Sequence, residues 1–173
     1  MGKFQFIETK IAGLYIVEPL IHHDARGYFM ETYNRADFHS AGLTMEFVQD
    51  NESRSSLGVL RGMHFQINHP QGKLVRVISG EVYDVAVDIR QGSGTYKQWV
   101  GAYLSAENKR QFYIPPGFAH GFLVTSDIAE FCYKCSEYYH PEDEGSLKWN
   151  DPEINIAWPI TEGMEIILSA KDK

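Results

Sequence analysis

The chain has 173 residues with 43% hydrophobic and 23% charged side chains, values typical of one folded globular domain, and we predict a single domain over residues 1–173. Its net charge of −7, from 16 basic and 23 acidic residues, argues against nucleic acid or an anionic membrane as a partner but leaves room for an anionic small molecule. No stretch approaches the roughly 20 apolar residues of a membrane-spanning helix and no signal segment opens the sequence, so we expect a cytoplasmic protein.

Turn and strand signals divide the first quarter of the chain into short elements. We predict, in order, a strand over 11–19, a turn over 23–27, a strand over 28–33 and a helix over 34–41. Asn34 suits the N-cap of that helix, because its side-chain oxygen can accept from free backbone N–H groups. Gly42 suits the end of the helix, where a left-handed conformation is common.

Strand signals dominate the rest of the sequence. Strands over 73–78 and 81–89 flank Ser79-Gly80, a dipeptide typical of a two-residue hairpin. Further strands are predicted over 99–104, 110–114, 121–124 and 129–139, and Pro115-Pro116-Gly117 separates two of them. Many short strands with closely spaced turns indicate a sandwich or barrel, and we predict an all-β jelly roll with a few short helices.

The two cysteines, Cys132 and Cys135, have the C-x-x-C spacing of redox and zinc sites. They lie, however, in a run that alternates like a strand, and residues three apart on a strand point to opposite faces. We therefore expect two free thiols that pack as small hydrophobic side chains and do not meet.

Four segments place ionisable side chains where packing alone does not require them. They are 59–66 with Arg61 and His64, 71–77 with Lys73, 113–122 with His120, and 133–134 with Tyr133. Taken singly, a His is more often a hydrogen-bonded structural residue, a Tyr more often fills the core, and a Lys is more often solvated. The prediction of an active site rests on the combination of these residues.

These segments also carry a resemblance that extends over nearly the whole chain. The matching blocks are 24–31, 47–53, 58–66, 71–90, 112–124, 133–139, 149–152 and 168–172. In this order and at this spacing they resemble the dTDP-4-dehydrorhamnose 3,5-epimerases. The resemblance implies a cupin-type jelly roll, a dTDP-sugar substrate, a homodimer, and catalysis with neither a metal nor another cofactor.

The residues at the metal-binding positions of cupins agree with that implication. Metal-binding cupins offer His-x-His, a Glu further along and a later His. Here Gln66 takes the second His position after His64, and Lys73 lies near the position of the acidic ligand. Two imidazoles beside a cation are a poor site for a divalent ion, so we predict no metal.

The chemistry that the resemblance implies is inversion at C3 and C5 of dTDP-4-dehydro-6-deoxy-D-glucose, which gives dTDP-4-dehydro-L-rhamnose for dTDP-L-rhamnose biosynthesis. Both centres lie next to the C4 carbonyl. A neutral imidazole is a competent base near pH 7, which suits His64, and a phenol can return a proton to the other face, which suits Tyr133. Lys73 suits the enolate oxygen. By resemblance Asp172 orients His64, but it is almost terminal and chain ends fray, so another carboxylate is the alternative.

The resemblance also implies which residues bind the substrate. Besides Lys73, they are Arg26, Phe29, Glu31, Gln49, Asp50, Asn51, Arg61, His120, Glu144 and Lys171. Arg26 and Arg61 suit the diphosphate, since a guanidinium pairs well with phosphate oxygens, and Phe29 suits the face of the thymine. The alternatives are an epimerase that inverts only C3 or only C5, and a non-catalytic cupin that binds a sugar nucleotide. A cupin that only binds the sugar nucleotide needs no acid on the side of the sugar opposite a base.

Overall fold

The computed structural model describes residues 2–173, and most of their regular structure is β. The strands are β1 Phe4–Glu8, β2 Tyr15–Pro19, β3 His22–Asp24, β4 Gly27–Phe29, β5 Gln49–Ser56, β6 Leu60–Gln66, β7 Lys73–Ser79, β8 Glu81–Asp88, β9 Trp99–Ser105, β10 Gln111–Ile114, β11 Phe118–Val124, β12 Ile128–Cys135 and β13 Glu144–Ser146. Helix α1 spans Arg35–Ser40, and a 3-10 helix spans Pro141–Asp143. Of the helices in residues 2–173, none has the length and apolar character that a membrane span requires.

Two antiparallel sheets face each other. The six-stranded sheet has the order β1-β2-β10-β7-β12-β5, and the five-stranded sheet has the order β13-β6-β11-β8-β9. Neighbouring strands are mostly distant in the chain, as where β7 lies between β10 and β12. Strands β3 and β4 form a separate hairpin. The prediction of an all-β jelly roll of cupin type is confirmed.

Alternate residues along the strands fill the space between the sheets. Val75 and Phe112 of the six-stranded sheet belong to one cluster with Val82, Leu104 and Phe122 of the five-stranded sheet, and each is at most 5% exposed. Burial at every second position is what a strand with one face on a core requires. Because each such side chain contributes about 1.5–3 kcal/mol when fully buried, this cluster is the main source of cohesion between the sheets.

Helix α1 covers the outer side of the six-stranded sheet near β1. Phe38 of this helix is fully buried and meets Phe4, Phe6 and Tyr33 edge-on, with ring centroids 4.9–5.2 Å apart. The side chain of Asn34 accepts from two backbone N–H groups of the first turn. The predicted helix and its N-cap are therefore confirmed.

Three predicted strands are shorter in the structure. The strand over 11–19 begins only at Tyr15, since Gly13, with a φ of 91°, lies in a turn. The strands over 28–33 and 129–139 end early, with β4 stopping at Phe29 and β12 at Cys135. Aromatic and apolar residues also occur in the turns and loops beyond these strands. The sequence pattern therefore does not mark where each strand begins or ends.

Cys132 and Cys135 point to opposite faces of β12, as predicted. Cys135 is buried, whereas the Cys132 Sγ lies 3.5 Å from Glu52 Oε2 on the outer face. Both thiols are free. Burial raises the pKa of the Cys135 thiol to about 11, so this cysteine is protonated at neutral pH.

The hydrophobic pattern does not predict β1, β3, β5, β6 or β13, and β3 overlaps the turn predicted over 23–27. The clearest case is β5, which contains no apolar residue although it pairs along its whole length with β12. One of its faces lines a cavity and the other is exposed to water. Neither face therefore carries the apolar stripe by which a strand is recognised.

The turn between β7 and β8 depends on Gly80. The predicted hairpin is wrong, because β7 belongs to the six-stranded sheet and β8 to the five-stranded sheet, so the two strands do not pair and the turn carries the chain from one sheet to the other. Gly80 has a φ of 75°, and a Cβ there would lie 2.0 Å from the carbonyl oxygen of Ile128. Gly80→Ala should lower the free energy of unfolding by more than the about 1–2 kcal/mol that a left-handed backbone costs by itself. Gly92→Ala is the control, because Gly92 has a φ of 82° but a Cβ there meets nothing within 4 Å. Urea unfolding measures both, and equal losses would contradict the role of the contact.

Candidate active site

A cavity of about 290 Å³ opens between the two sheets at one end of the jelly roll. It is lined by Gln49, Asn51, Ser53, Arg61, His64, Phe65, Gln66, Gln71, Lys73, His120, Phe122, Phe131, Tyr133, Cys135, Tyr139, Glu144, Ser169, Lys171 and Asp172. These come from six strands, two loops and the C-terminal segment. All four predicted catalytic residues are among them: His64, Tyr133, Lys73 and Asp172.

His64, on β6, is held by Asp172. Its Nε2 atom lies 2.5 Å from Asp172 Oδ1, and the two side chains are 20% and 2% exposed. Because an ionised carboxylate only accepts, Nε2 bears the ring proton and Nδ1 keeps its lone pair, 3.7 Å from Glu144 Oε1. Burial lowers the pKa of His64, and the bond to Asp172 opposes this effect. The ring is therefore neutral near pH 7 and able to accept a proton.

The C-terminal segment that carries Asp172 is hydrogen-bonded to the five-stranded sheet. The Ile167 N–H donates to the Gly58 carbonyl at 2.9 Å, and the Ile167 carbonyl accepts from the Leu60 N–H at 3.0 Å. Further along, Ser169 Oγ donates to Asp172 Oδ2 at 2.6 Å. His64 Nε2 thus meets Asp172 itself, and no other carboxylate takes that place.

Tyr133 and Lys73 face His64 from the other sheet. Tyr133 lies on β12 and Lys73 begins β7, both in the six-stranded sheet, whereas His64 belongs to the five-stranded sheet. Burial raises the pKa of the Tyr133 hydroxyl, which keeps it protonated. Burial lowers the pKa of the Lys73 ammonium, and the nearby groups of Cys135 and Asp84 oppose that shift. The cavity therefore has a neutral base on one wall, with a phenol and an amine on the other.

Glu144 and Lys171, both predicted to bind substrate, form an ion pair beside His64. Lys171 Nζ lies 2.9 Å from each Glu144 oxygen, and the Tyr139 hydroxyl donates to Glu144 Oε2 at 3.3 Å. The positive charge of Lys171 adds to the lowering of the His64 pKa. Donors and acceptors thus lie side by side here, which suits a ligand with several hydroxyl groups.

Arg61, Gln49 and Asn51 also line the cavity, as predicted. Arg61 Nε donates to Ser55 Oγ at 3.1 Å. Gln49 Nε2 donates to Asn51 Oδ1 at 3.0 Å, and Gln49 Oε1 accepts from the Tyr139 N–H at 2.9 Å. These contacts hold one guanidinium and two amides in fixed positions at the edge of the cavity.

Asp50, a predicted binding residue, does not line the cavity. It alternates with Gln49 and Asn51 along β5, so it points to the opposite face of the sheet. There it accepts from Lys134 Nζ at 2.6 Å. The prediction took 49–51 as one block, but only the first and third residues of a strand triplet can face the same side.

Three predicted binding residues near the N-terminus lie outside the cavity of their own chain. Arg26 is bonded to Asp24 within the exposed β3–β4 hairpin, and Phe29 is 69% exposed. Glu31 forms an ion pair with Lys3. Within residues 2–173, none of the three belongs to the lining around His64.

Four aromatic residues of the lining escape prediction from the sequence as cavity residues: Phe65, Phe122, Phe131 and Tyr139. Phe122 and Phe131 stack with ring centroids 4.2 Å apart, and Tyr139 is 45% exposed. A signal exists for the stacked pair: Phe122 follows His120 by two residues, and Phe131 precedes Tyr133 by two. Because side chains alternate along a strand, each phenylalanine shares the face of a predicted site residue.

Gln66, at the second histidine position of metal-binding cupins, is occupied by backbone contacts. Its Nε2 donates to the carbonyl oxygens of His69 at 2.6 Å and Tyr138 at 3.0 Å, and its Oε1 accepts from the His140 N–H at 2.6 Å. Among residues 2–173, no group of three or more His, Cys, Asp or Glu is arranged to hold a metal ion. The amide of Gln66 instead joins two loops beside the cavity.

Removing the Asp172 carboxylate should lower the pKa of His64 further, because that carboxylate opposes the effect of burial. Proton NMR of the His64 ring should therefore show Asp172→Asn titrating at lower pH than the wild type. Glu144→Gln is the control, since Glu144 raises the His64 pKa less than Asp172 does. A His64 titration that is unchanged in Asp172→Asn, or that shifts more in Glu144→Gln, would contradict the assigned contact.

Known proteins are similar to this chain in sequence and in fold. The family model described as dTDP-4-dehydrorhamnose 3,5-epimerase matches residues 8–173. A relative of that name from Methanothermobacter thermautotrophicus is 56% identical over 173 residues, which are 100% of this chain and 94% of the relative. A crystal structure of dTDP-6-deoxy-D-glucose-3,5-epimerase from Legionella pneumophila in complex with dTDP-4-keto-L-rhamnose is 55% identical, with a TM-score of 0.94 over 98% of this chain and 89% of that one. A 3'-monoepimerase from Streptomyces bikiniensis in complex with dTDP-quinovose is 35% identical, with a TM-score of 0.88 over 95% and 83%. This chain belongs to the dTDP-4-dehydrorhamnose 3,5-epimerase family.

Proposed function

We propose that this chain is a dTDP-4-dehydrorhamnose 3,5-epimerase, an isomerase that inverts C3 and C5 of dTDP-4-dehydro-6-deoxy-D-glucose. The observation that carries the proposal is that His64, held by Asp172, and Tyr133 line one cavity from facing sheets. Inversion needs a base on one face of the sugar and an acid on the other. A protein that only binds a sugar nucleotide has no use for such a pair.

The reaction begins at a carbon next to the C4 carbonyl. Nδ1 of neutral His64 takes the proton from that carbon, and the electron pair of the C–H bond forms the enolate while negative charge moves to the C4 oxygen. A positioned base of this kind typically contributes about 10²–10⁴-fold to the rate. Asp172 stabilises the resulting imidazolium, because Nε2–H remains bonded to its carboxylate.

A positive charge near the enolate oxygen would stabilise it, and we assign this role to the ammonium of Lys73. Its ammonium lines the cavity, and burial lowers its pKa. A lowered pKa makes the ammonium a stronger hydrogen-bond donor to an oxygen that gains charge. A fixed charge in a site that excludes water is often the largest single contribution to catalysis.

Tyr133 completes the inversion. Its hydroxyl gives a proton to the face opposite His64, the enolate electrons form the new C–H bond, and a tyrosinate remains. Exchange with solvent then returns a proton to Tyr133 and removes one from His64. The same pair serves C3 and C5, since both carbons adjoin the C4 carbonyl.

The nucleotide end is assigned to the part of the cavity near β5. Arg61 can pair with the diphosphate, and the amides of Gln49 and Asn51, already fixed by their mutual hydrogen bond, can meet the sugar or the base. Tyr139 supports a further assignment, because it is an exposed aromatic ring in the lining. We assign to Tyr139 a stacking face for the thymine, a role predicted from the sequence for Phe29.

The protein is proposed to act as a homodimer in which the β3–β4 hairpin of one copy reaches the cavity of the other. Arg26 and Phe29 support this arrangement, because both are exposed on that hairpin and neither lines its own cavity. Tyr28 between them is 53% exposed. Two adjacent exposed aromatic rings are typical of a surface that another chain covers.

A single-centre epimerase is the second candidate, because the Streptomyces bikiniensis 3'-monoepimerase has the same fold at 35% identity. The 56% identity to a relative named as a 3,5-epimerase favours double inversion. The deciding experiment incubates the wild-type protein with dTDP-4-dehydro-6-deoxy-D-glucose in heavy water. Deuterium at both C3 and C5 supports the proposal, deuterium at one carbon supports a single-centre epimerase, and deuterium at neither supports a binding protein.

Tyr133→Phe and His64→Asn should fail in different ways. Tyr133→Phe keeps the ring and removes the hydroxyl, so His64 can still form the enolate and return a solvent deuteron to the original face. Exchange should then outpace inversion, whereas His64→Asn should lose both by about 10²-fold or more. Proton NMR in heavy water follows label and configuration in one sample. If Tyr133→Phe loses exchange and inversion equally, Tyr133 is a positioning residue instead.

The proposed dimer predicts that two defective variants complement each other. In a mixed dimer of His64→Asn and Arg26→Ala chains, one cavity carries both defects, while the other keeps His64 and receives an intact Arg26 from its partner. Co-expression should raise activity at low substrate above that of either variant, towards roughly a quarter of wild type, because half of the dimers are mixed. Activity no higher than the average of the two variants would contradict the proposed reach of Arg26 into the partner's cavity.

A further inference from the structure

We propose that Asp84 is a positioning residue for the epimerisation: it fixes the ring proton of His120 so that Nδ1 of that ring accepts a hydrogen bond from a hydroxyl group of the bound sugar. The identity of the ligand rests on the proposed function, whereas the contact between Asp84 and His120 is independent of it.

Asp84 and His120 lie on adjacent strands of the five-stranded sheet. In the register of β8 and β11, Phe122 lies opposite Asp84 and Ala86 lies opposite His120, so the two polar side chains are diagonal neighbours on one face. His120 Nε2 lies 3.0 and 2.9 Å from the two carboxylate oxygens. Asp84 is 0% exposed and His120 is 8% exposed, so water does not compete for this contact.

The other nitrogen of the His120 ring is open to the cavity. His120 belongs to the lining, whereas Asp84 lies behind it. Within residues 2–173, Nδ1 makes no hydrogen bond, yet it is not among the buried side-chain atoms that lack a partner. His64 is the cross-strand partner of His120, and it too uses Nε2 for its aspartate. Two neighbouring imidazoles therefore leave Nδ1 for a ligand.

Whether Nδ1 accepts or donates a hydrogen bond depends on the protonation of Asp84 and of the His120 ring. With Asp84 ionised, Nε2 carries the proton and Nδ1 of the neutral ring accepts; with Asp84 protonated, Nδ1–H would donate. Burial raises the pKa of Asp84, and the His120 ring and the Lys73 charge oppose that rise. Near pH 7, above the ordinary pKa of both an imidazole, about 6.5, and a carboxyl group, about 3.9, the pair keeps a single ring proton, which Nε2 donates to the Asp84 carboxylate.

An acceptor at this position fits a hydroxyl group of the sugar. Lys73 and Arg61 already offer donors for carbonyl and phosphate oxygens. A sugar hydroxyl brings its own proton, and burying that proton without an acceptor would cost about 1–3 kcal/mol. A hydroxyl held by Nδ1 also limits how the sugar can turn between His64 and Tyr133. The hydrogen bonds of Asp84 act on the sugar through the His120 ring, and its charge separately raises the pKa of Lys73.

Asp84→Asn keeps the shape of the side chain and removes the charge that sets the ring proton. Because an amide can also donate to Nε2, the ring is free to take its other tautomer. We expect kcat/KM for the sugar nucleotide to fall about 10–100-fold, while the Kd for dTDP stays within about twofold. In the His120→Ala background, the same substitution should lower kcat/KM clearly less than it does in the wild type, because only its effect on the charge of Lys73 remains. Losses that add in the double variant would overturn the proposal.

Asp88→Asn is the matched control. Asp88 lies on the same strand and is equally buried, but its partners Arg90, Ser93 and Thr95 belong to a loop outside the cavity. This variant should unfold at lower urea concentration with kcat/KM unchanged. If Asp88→Asn lowers kcat/KM as much as Asp84→Asn does, the effect at Asp84 is structural and the proposal fails.

A measurement on the wild-type protein needs neither a folded variant nor turnover. Nitrogen-15 NMR shows which ring nitrogen of a histidine bears the proton, and His120→Ala identifies the signals of His120. A proton on Nε2 with none on Nδ1 at neutral pH supports the proposal. A proton on Nδ1, alone or together with one on Nε2, overturns it. If the wild type leaves the 4-keto sugar unchanged while Nε2 alone is protonated, the proposed function fails and the assigned role of Asp84 in the ring proton stands.

Discussion

The hydrogen bond between His64 and Asp172 makes the chemistry of the cavity depend on the path of the C-terminal segment. Asp172 reaches β6 because Ile167 is hydrogen-bonded to Gly58, where a Cβ would lie 2.0 Å from the carbonyl oxygen of Glu165. The missing side chain at Gly58 therefore lets two backbones meet. That contact brings a buried carboxylate to the ring, whose pKa burial would otherwise lower further. As the proposed base, His64 is neutral at rest and can still hold the proton that it would remove.

The strands that build the core also build the cavity. Along β12, Ala129 and Phe131 pack in the core, and Tyr133 and Cys135 continue the same face into the cavity. Strand β7 runs from the core to Lys73 in the same way. Because a packed sheet is rigid, core packing at one end fixes where the acid and the cation lie at the other.

The sequence predicts those strands that carry an apolar pattern. Strands that line the site carry polar side chains instead, so they lack the pattern and are not predicted. Strands β7 and β8 are predicted because hydrophobic residues run on both sides of Gly80, whereas their placement in different sheets is not, since the turn itself carries no sign of which sheet the chain enters next. Strand β5 is not predicted, since the cavity uses Gln49 and Asn51 on one face and water meets the other. Asp172 and His64 are 108 residues apart, and no local pattern joins them; only the resemblance does. Asp84 also escapes prediction, because it shares the less apolar face of β8 with Ala86 and Asp88, and nothing in that alternation shows that its carboxylate is buried.

The charges in the cavity differ in whether the protein itself pairs them. Asp172 is paired with His64, Asp84 with His120, and Glu144 with Lys171. Within residues 2–173, Lys73 has no ion pair or hydrogen bond from its ammonium, which burial disfavours and which opens onto the cavity. In the proposed mechanism its partner is a negative charge that the ground-state ketone does not carry and the enolate does. Interactions that strengthen only as the reaction proceeds are those that lower the barrier, so under that proposal the unpaired ammonium of Lys73 is well placed to stabilise the transition state.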